Sequence, residues 1–155
     1  MEIYRIVSRK YAQDLFASGN AGRWNLRNQK VLYASASRSL ACLENMVHRG
    51  QKMFSSLFTV MVIEVPDDII PQKINKDDLI SNWYHSDKKG YRYCQNMGQE
   101  WYVSQQSSLL MVPSAVMYEE YNYVINTRHQ DMGRIKLLRR ENISIDERLN
   151  AMNSY

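Results

Sequence analysis

Three residues in the first third of this chain have the types and spacing to do chemistry together: Arg23, Tyr33 and Glu44. Glu44 lies within Leu40-Ala41-Cys42-Leu43-Glu44-Asn45-Met46-Val47. At ~100° per residue, Leu40, Leu43 and Val47 make one apolar helical stripe with Glu44 on its edge. A solvated glutamate belongs on the opposite face, so a carboxylate at this rim either pairs with a cation or works in a cleft. Arg23 and Tyr33 lie close upstream and can share that cleft. The alternative is a structural salt bridge from Glu44 to Arg23 or Arg38.

Arg23 sits in Gly22-Arg23-Trp24-Asn25. A guanidinium is a natural fork for phosphate oxygens, and a glycine lets backbone approach a ligand closely. The competing reading is a surface arginine beside a packed tryptophan. Tyr33, in Val31-Leu32-Tyr33-Ala34-Ser35, shares a strand face with Val31 and Ser35. It is either a core tyrosine or an aromatic platform for a flat cationic ring. A lone carboxylate is too few for ordinary glycoside hydrolysis, which uses an acid and a partner. It suffices when the leaving group needs no protonation, as with the nicotinamide of NAD+, which is cationic when bound and leaves neutral. The carboxylate then has to steady an oxocarbenium-like ribose. Ser114, after a proline-stopped strand, either donates to a ligand or caps a turn. No Gly-x-Ser-x-Gly elbow accompanies it, so a serine-hydrolase triad has little support. His48, His85 and His129 are scattered without metal-ligand spacing, so no metal site is expected.

The elements that must position these residues follow from periodicity and turn chemistry. Residues 3–7 read as a strand, and Ser8 as the cap of a helix over 10–17 carrying Tyr11, Leu15 and Phe16. Ser18 to Gly22 is a loop. Val31–Ser35 is a strand, and Ser37 caps the helix bearing Glu44. Leu57–Val65 reads as a strand covered on both faces and stopped by Pro66. Residues 67–90 are polar and turn-rich, with Asn75 a cap, and 91–105 form a helix with Cys94, Met97 and Trp101 inward. Strands follow at 109–112, 121–125 and 134–140. Ser144-Ile145-Asp146-Glu147 has capping-box spacing and opens a C-terminal helix. The irregular alternation favours a mixed α+β class over a doubly wound sheet.

The 155 residues suit one domain, 1–155, with 45% hydrophobic and 23% charged residues. No apolar run approaches a membrane span, and the N-terminus lacks a signal-peptide pattern. Two cysteines, Cys42 and Cys94, without partner spacing, indicate a reducing cytoplasm. Residues 1–65 carry nine Lys/Arg against four Asp/Glu, within a net charge of +4. That basic third suits an anionic small molecule, while the absence of a dense Lys/Arg cluster disfavours direct nucleic-acid binding. A non-catalytic basic binding module is the competing class of function.

Taken in order, several segments resemble the RES domain, the toxin half of bacterial RES–Xre toxin–antitoxin systems. They are Tyr4-Arg5, Gly22-Arg23-Trp24-Asn25, Leu32-Tyr33-Ala34-Ser35, Leu43-Glu44 with His48, and Gln95 with Gly98 and Trp101. Val112-Pro113-Ser114-Ala115, Asn122-Tyr123 with Asn126 and His129, and Asp146-Glu147-Arg148-Leu149 complete the set. Glu100 stands where the family often has an aspartate before the tryptophan. The resemblance implies an ADP-ribosyltransferase-like fold, two small packed β-sheets flanked by helices with NAD+ in the cleft between them. It implies an NAD+-consuming enzyme, a glycohydrolase, phosphorylase or ADP-ribosyltransferase, with NAD+ as substrate and no bound cofactor. An Xre-type antitoxin would neutralise it, with nucleic acid reached only through that antitoxin and a homodimer allowed within the complex. The carried-over site is Arg23 on phosphate or ribose, Tyr33 facing nicotinamide, Glu44 supporting the ribose cation and Ser114 bonding the ligand, with Trp24 and Asn25 also binding NAD+.

Overall fold

Alternate residues along nearly every strand serve two different cores, and this alternation organises the molecule. The structure, a computed structural model, describes residues 1–49, 57–85, 88–144 and 146. Its elements run β1 (Glu2–Ser8), β2 (Val31–Ser35), α1 (Arg38–Arg49), β3 (Phe58–Glu64), β4 (Gln72–Lys73), α2 (Lys88–Ser104), β5 (Leu109–Pro113), β6 (Tyr121–Asn126) and β7 (Lys136–Asn142). The seven strands form one sheet in the order β4-β5-β6-β2-β1-β3-β7.

The mixed α+β class expected from the sequence is what is found. The two β-layers are the halves of a single sheet, β4-β5-β6-β2 and β1-β3-β7, joined where β1 and β2 pair only at Tyr4 and Ser35. Ile3, Val7, Met61 and Ile63 of one half meet Leu32, Ala34, Leu109 and Ile125 of the other in a shared core. The opposite faces pack on helices. Val31, Leu110, Val112 and Val124 lie under α2 with Trp24, Trp83, Cys94 and Trp101. Ile6, Val60 and Val62 lie under α1 with Ala41. Burial on both faces explains the unbroken apolar run of β3, whose first six residues are all buried.

Two local expectations change. The helix over 10–17 is a single 3-10 turn, Arg9–Tyr11, and Ser8 makes no side-chain cap bond. Its apolar spacing is overruled by packing: small Ala12 and Ala17 enter the shared core, leaving Tyr11 and Phe16 more than half exposed. The short strand β4, parallel to β5, went unpredicted because its two residues are exposed and polar. Asn75 precedes only a 3-10 turn, Lys76–Asp78, and makes no side-chain cap bond. The proposed C-terminal helix lies outside the described residues. Among the described residues no helix is long and apolar enough to cross a membrane, and no group of three His, Cys, Asp or Glu is arranged to hold a metal ion.

Candidate active site

A cleft of about 800 Å³ is lined by Arg23, Tyr33 and Glu44 together, with Arg5, Tyr84 and Tyr91 among its other walls. That volume falls within the range of small-molecule sites. The three residues singled out by type and spacing therefore share one pocket.

Glu44 reaches the cleft because of where α1 begins. The Ser37 hydroxyl accepts from the Leu40 N–H at 3.1 Å, fixing the first turn. From there Ala41, Glu44, Asn45 and His48 face the cleft at helical spacing. The apolar stripe differs from the expected one. Leu40 and Ala41 are buried, whereas Val47 is 65% exposed. Glu44 is thus on the cleft-facing side of α1, where it meets two other elements. Its Oε1 accepts from the Ser114 hydroxyl at 2.7 Å and from the Asn122 side-chain amide. Its Oε2 lies 3.9 Å from His48 Nε2. Among the described residues neither Arg23 nor Arg38 pairs with it: Arg38 instead grips Glu141 at 2.8 and 2.9 Å and stacks over the Tyr4 ring.

Ser114 sits behind Glu44 rather than on the cleft wall. It is fully buried, and its oxygen also accepts from the N–H groups of Val116 and Met117 at 3.0 and 2.9 Å. Its single hydroxyl hydrogen goes to Glu44, so a direct bond to a ligand, as the resemblance implied, is not the role this geometry assigns.

Arg23 is held in the opposite manner. Its Nη1 donates to the carbonyls of Trp83 and His85 at 2.6 and 3.1 Å, and Nη2 to Tyr84 at 3.1 Å. The guanidinium lies over the Tyr91 ring, 4.5 Å from its centroid. The arginine buckles residues 83–85 to the 22–25 loop, and most of its fork is engaged by backbone. Tyr33 likewise works partly as structure. Its hydroxyl donates to Asn25 Oδ1 at 2.8 Å and accepts from the Trp24 N–H at 2.9 Å. Burial pushes its phenol well above the usual range, so it stays protonated. Gly22 is required by this contact, since a Cβ there would lie 2.6 Å from the Tyr33 hydroxyl. Its missing side chain makes room for the Tyr33 hydroxyl at the cleft wall.

The remaining two expected ligands are scaffold. Asn25 is fully buried, donating to the carbonyls of Asn20 and Leu26 at 2.9 Å each. Trp24 is 3% exposed and packs against Trp83, although its edge reaches the cleft. Glu100 is exposed on α2, and His129 is buried, with its Nδ1 accepting the Asp131 N–H and its Nε2 against the Gln105 carbonyl. Neither lines the cleft.

Sequence reasoning gave no site role to the wall residues that come from distant segments, although Arg5 and Asn122 stand in the segments that resemble the family. Asn122 is the most important, placed beside Ser35 by the β2–β6 register. Arg5 donates to the Tyr33 carbonyl at 2.8 Å and lines the cleft from β1. Tyr84 and Tyr91 close its far side. A strand-pairing signal could have found Asn122; nothing local points to Tyr84.

This combination, a two-layered sheet with a carboxylate, an arginine and a tyrosine in one cleft, is a cleft of small-molecule size on an α+β scaffold. The RES domain family matches residues 2–146, and the chain belongs to that family. It is 35% identical over 130 residues to a "Prs ADP-ribosylating toxin" of Sphingobium sp., covering 81% of this chain and 80% of that relative. It is 33% identical over 134 residues to a "Toxin Res" of Yersinia enterocolitica, covering 84% and 86%. A chain in the crystal structure of the M. tuberculosis MbcT–MbcA toxin–antitoxin complex superposes with a TM-score of 0.76 at 17% identity, covering 92% of this chain and 84% of that one, which establishes a shared fold.

Proposed function

We propose that this chain is the toxin of a bacterial toxin–antitoxin pair and acts in the cytoplasm by breaking the nicotinamide–ribose bond of NAD+. The observation that carries the reading is Glu44. Its carboxylate opens on the same cleft as Arg23 and Tyr33, one oxygen is steadied by Ser114 and Asn122, and among the described residues no lysine or arginine pairs with it. The names of its relatives supply the toxin class and, for one of them, ADP-ribose chemistry.

The chemistry needs few groups. As the glycosidic bond stretches, positive charge moves from the pyridinium onto the ribose, and the ring departs neutral without a general acid. Glu44 faces the growing oxocarbenium charge with a fixed negative one, in a partly water-excluded cleft where such stabilisation is strong. The Tyr33 ring forms a wall for the nicotinamide, and Arg23, with its remaining N–H groups, reaches a phosphate or ribose oxygen. Ser114 acts through Glu44, and Trp24 and Asn25 shape the loop. Water as acceptor yields ADP-ribose, and phosphate yields its phosphorylated form. Either one depletes the cell of NAD+, so an antitoxin of the Xre type holds the enzyme in check and brings any contact with DNA.

A second reading has one specific support. The Sphingobium relative is named for ADP-ribosylation, so transfer to a protein side chain is the competing outcome. Purified chain, freed of any partner, is incubated with adenine-labelled NAD+ with and without phosphate. Label in ADP-ribose or its phosphate, and none on protein, supports NAD+ depletion; label on a protein supports transfer. NAD+ that stays intact, or falls equally fast with Glu44→Gln, removes the proposal.

A further inference from the structure

We infer that Asn122 is a positioning residue for Glu44, fixing which carboxylate oxygen faces the substrate; this rests on the NAD+-cleaving reading above. The argument is one of hydrogen-bond direction. The Glu44 carboxylate only accepts, so the NH₂ end of Asn122 must meet it, and Asn122 Oδ1 is left to accept from the Ser35 hydroxyl at 2.7 Å. Ser35 is 4% exposed, and its strand partner in the β2–β6 ladder is Asn122 itself. The amide is therefore aimed by sheet register rather than by a flexible loop.

Ser114 supplies the second donor to the same Oε1, from the segment that leaves β5 at Pro113. Two donors from two neighbouring strands converge on one oxygen of a side chain carried by a helix. A free glutamate has three rotatable bonds, and pinning one oxygen from two directions selects a single carboxylate orientation. Oε2 is left to the substrate, with His48 Nε2 3.9 Å away. Ser114 has its hydrogen bonds closed by Val116 and Met117 as well, so it is a rigid post. Asn122 is held on its Oδ1 side by Ser35.

The titratable groups that share the cleft with Glu44 are His48 on α1, Tyr4 and Arg5 on β1, and Tyr33 on β2. Arg23, Tyr84 and Tyr91 line it as well, with the Arg23 guanidinium over the Tyr91 ring. None of them donates to Oε1, so a change at position 122 is read mainly through Glu44.

Three variants test the inference: Asn122→Ala, Asn122→Asp and Ser35→Ala. Asn122→Ala removes the donor and should lower kcat roughly 30-fold while KM for NAD+ stays within about 3-fold, because the amide meets Glu44 through its NH₂ and Ser35 through its Oδ1. Asn122→Asp sets two carboxyls in contact, which can share one proton at low pH but repel when both ionise. Relative to wild type measured alongside, it should keep turnover near pH 5 and lose it progressively towards pH 8. Ser35→Ala leaves the amide in place but unaimed, with a loss of about 3-fold in kcat. An equal rise in KM with Asn122→Ala, or an Asn122→Asp profile that follows wild type, overturns the inference. If wild type itself consumes no NAD+, the functional reading falls, and crystal structures of wild type and Asn122→Ala decide the positioning role alone. A Glu44 carboxylate that spreads over several rotamers in the variant supports it; one that stays on Ser114 in its original rotamer overturns it.

Discussion

Of two charged residues lining the cleft, Glu44 receives two side-chain donors on one oxygen and keeps the other open, whereas Arg23 gives three hydrogen bonds to the carbonyls of residues 83–85. The first charge is oriented and left available. The second is largely absorbed into the wall it helps to build. The difference teaches that two charged residues lining one pocket need not have parallel roles. A carboxylate accepts through two oxygens, so the fold can fix one and leave one. A guanidinium distributes its donors around a plane, and here three of the bonds close a turn.

The sharpest way to break this comparison is Glu44→Gln, which removes the charge at nearly constant shape. Turnover should fall ~10³-fold, roughly 4 kcal/mol of transition-state stabilisation, with the melting temperature little changed. A large loss of stability instead would make Glu44 a structural partner like Arg23. Gly98→Ala attacks the scaffold under the Arg23 end. A Cβ there would lie 1.9 Å from the Trp24 carbonyl oxygen, so α2 must move off the loop. Denaturant melts should show about 3 kcal/mol of destabilisation or failure to fold.

Arg23→Lys then separates buckle from ligand. A lysine cannot bridge three carbonyls or lie flat on Tyr91, so stability and kcat/KM should fall together, by ~1–3 kcal/mol and about 10- to 100-fold. An unaltered melt with a raised KM would return Arg23 to the role of a phosphate ligand. Tyr33→Phe keeps the ring while removing the hydroxyl that joins Trp24 and Asn25, and thermal melts should register a loss of about 1–2 kcal/mol. A full loss of turnover in that variant, with stability intact, would shift Tyr33's importance from ring to hydroxyl.

The smallest effect lies behind α1. Arg38 and Arg139 hold the Glu141 carboxyl down at about 2, from an ordinary 4.5. A depressed carboxyl contributes stability above its unfolded pKa and loses it as pH falls, so the window is between about 4.5 and 2. Glu141→Gln should flatten the acid limb of stability measured by pH-dependent melts. The pair is exposed, and salt should weaken it.

Much of this site could be read along the chain because its parts are tied to local signals. Ser37 before an apolar helix announced α1, and the Val31–Ser35 strand appears with the bounds expected of it. Glu44 stood out because an acid at the rim of an apolar face conflicts with the ordinary solvated pattern. What misled was equally local. Tyr11, Leu15 and Phe16 have helical spacing, yet the chain there is drawn out so that Ala12 and Ala17 can enter a core made by other strands. Ser114 reads from its neighbours as a ligand donor or a turn cap; it closes the turn to Val116 and Met117 and donates to Glu44, 70 residues away.

The sequence by itself determined which side chains carry charge and which backbone segments prefer helix or strand, because those preferences act between near neighbours. Only the tertiary structure decided what each charge meets. Register set Asn122 beside Ser35, the end of β5 brought Ser114 under Glu44, and the turn at 83–85 closed around Arg23. Contacts of that kind join residues far apart in the chain. They depend on how two halves of a sheet pack against one another, a property that no local window of residues contains.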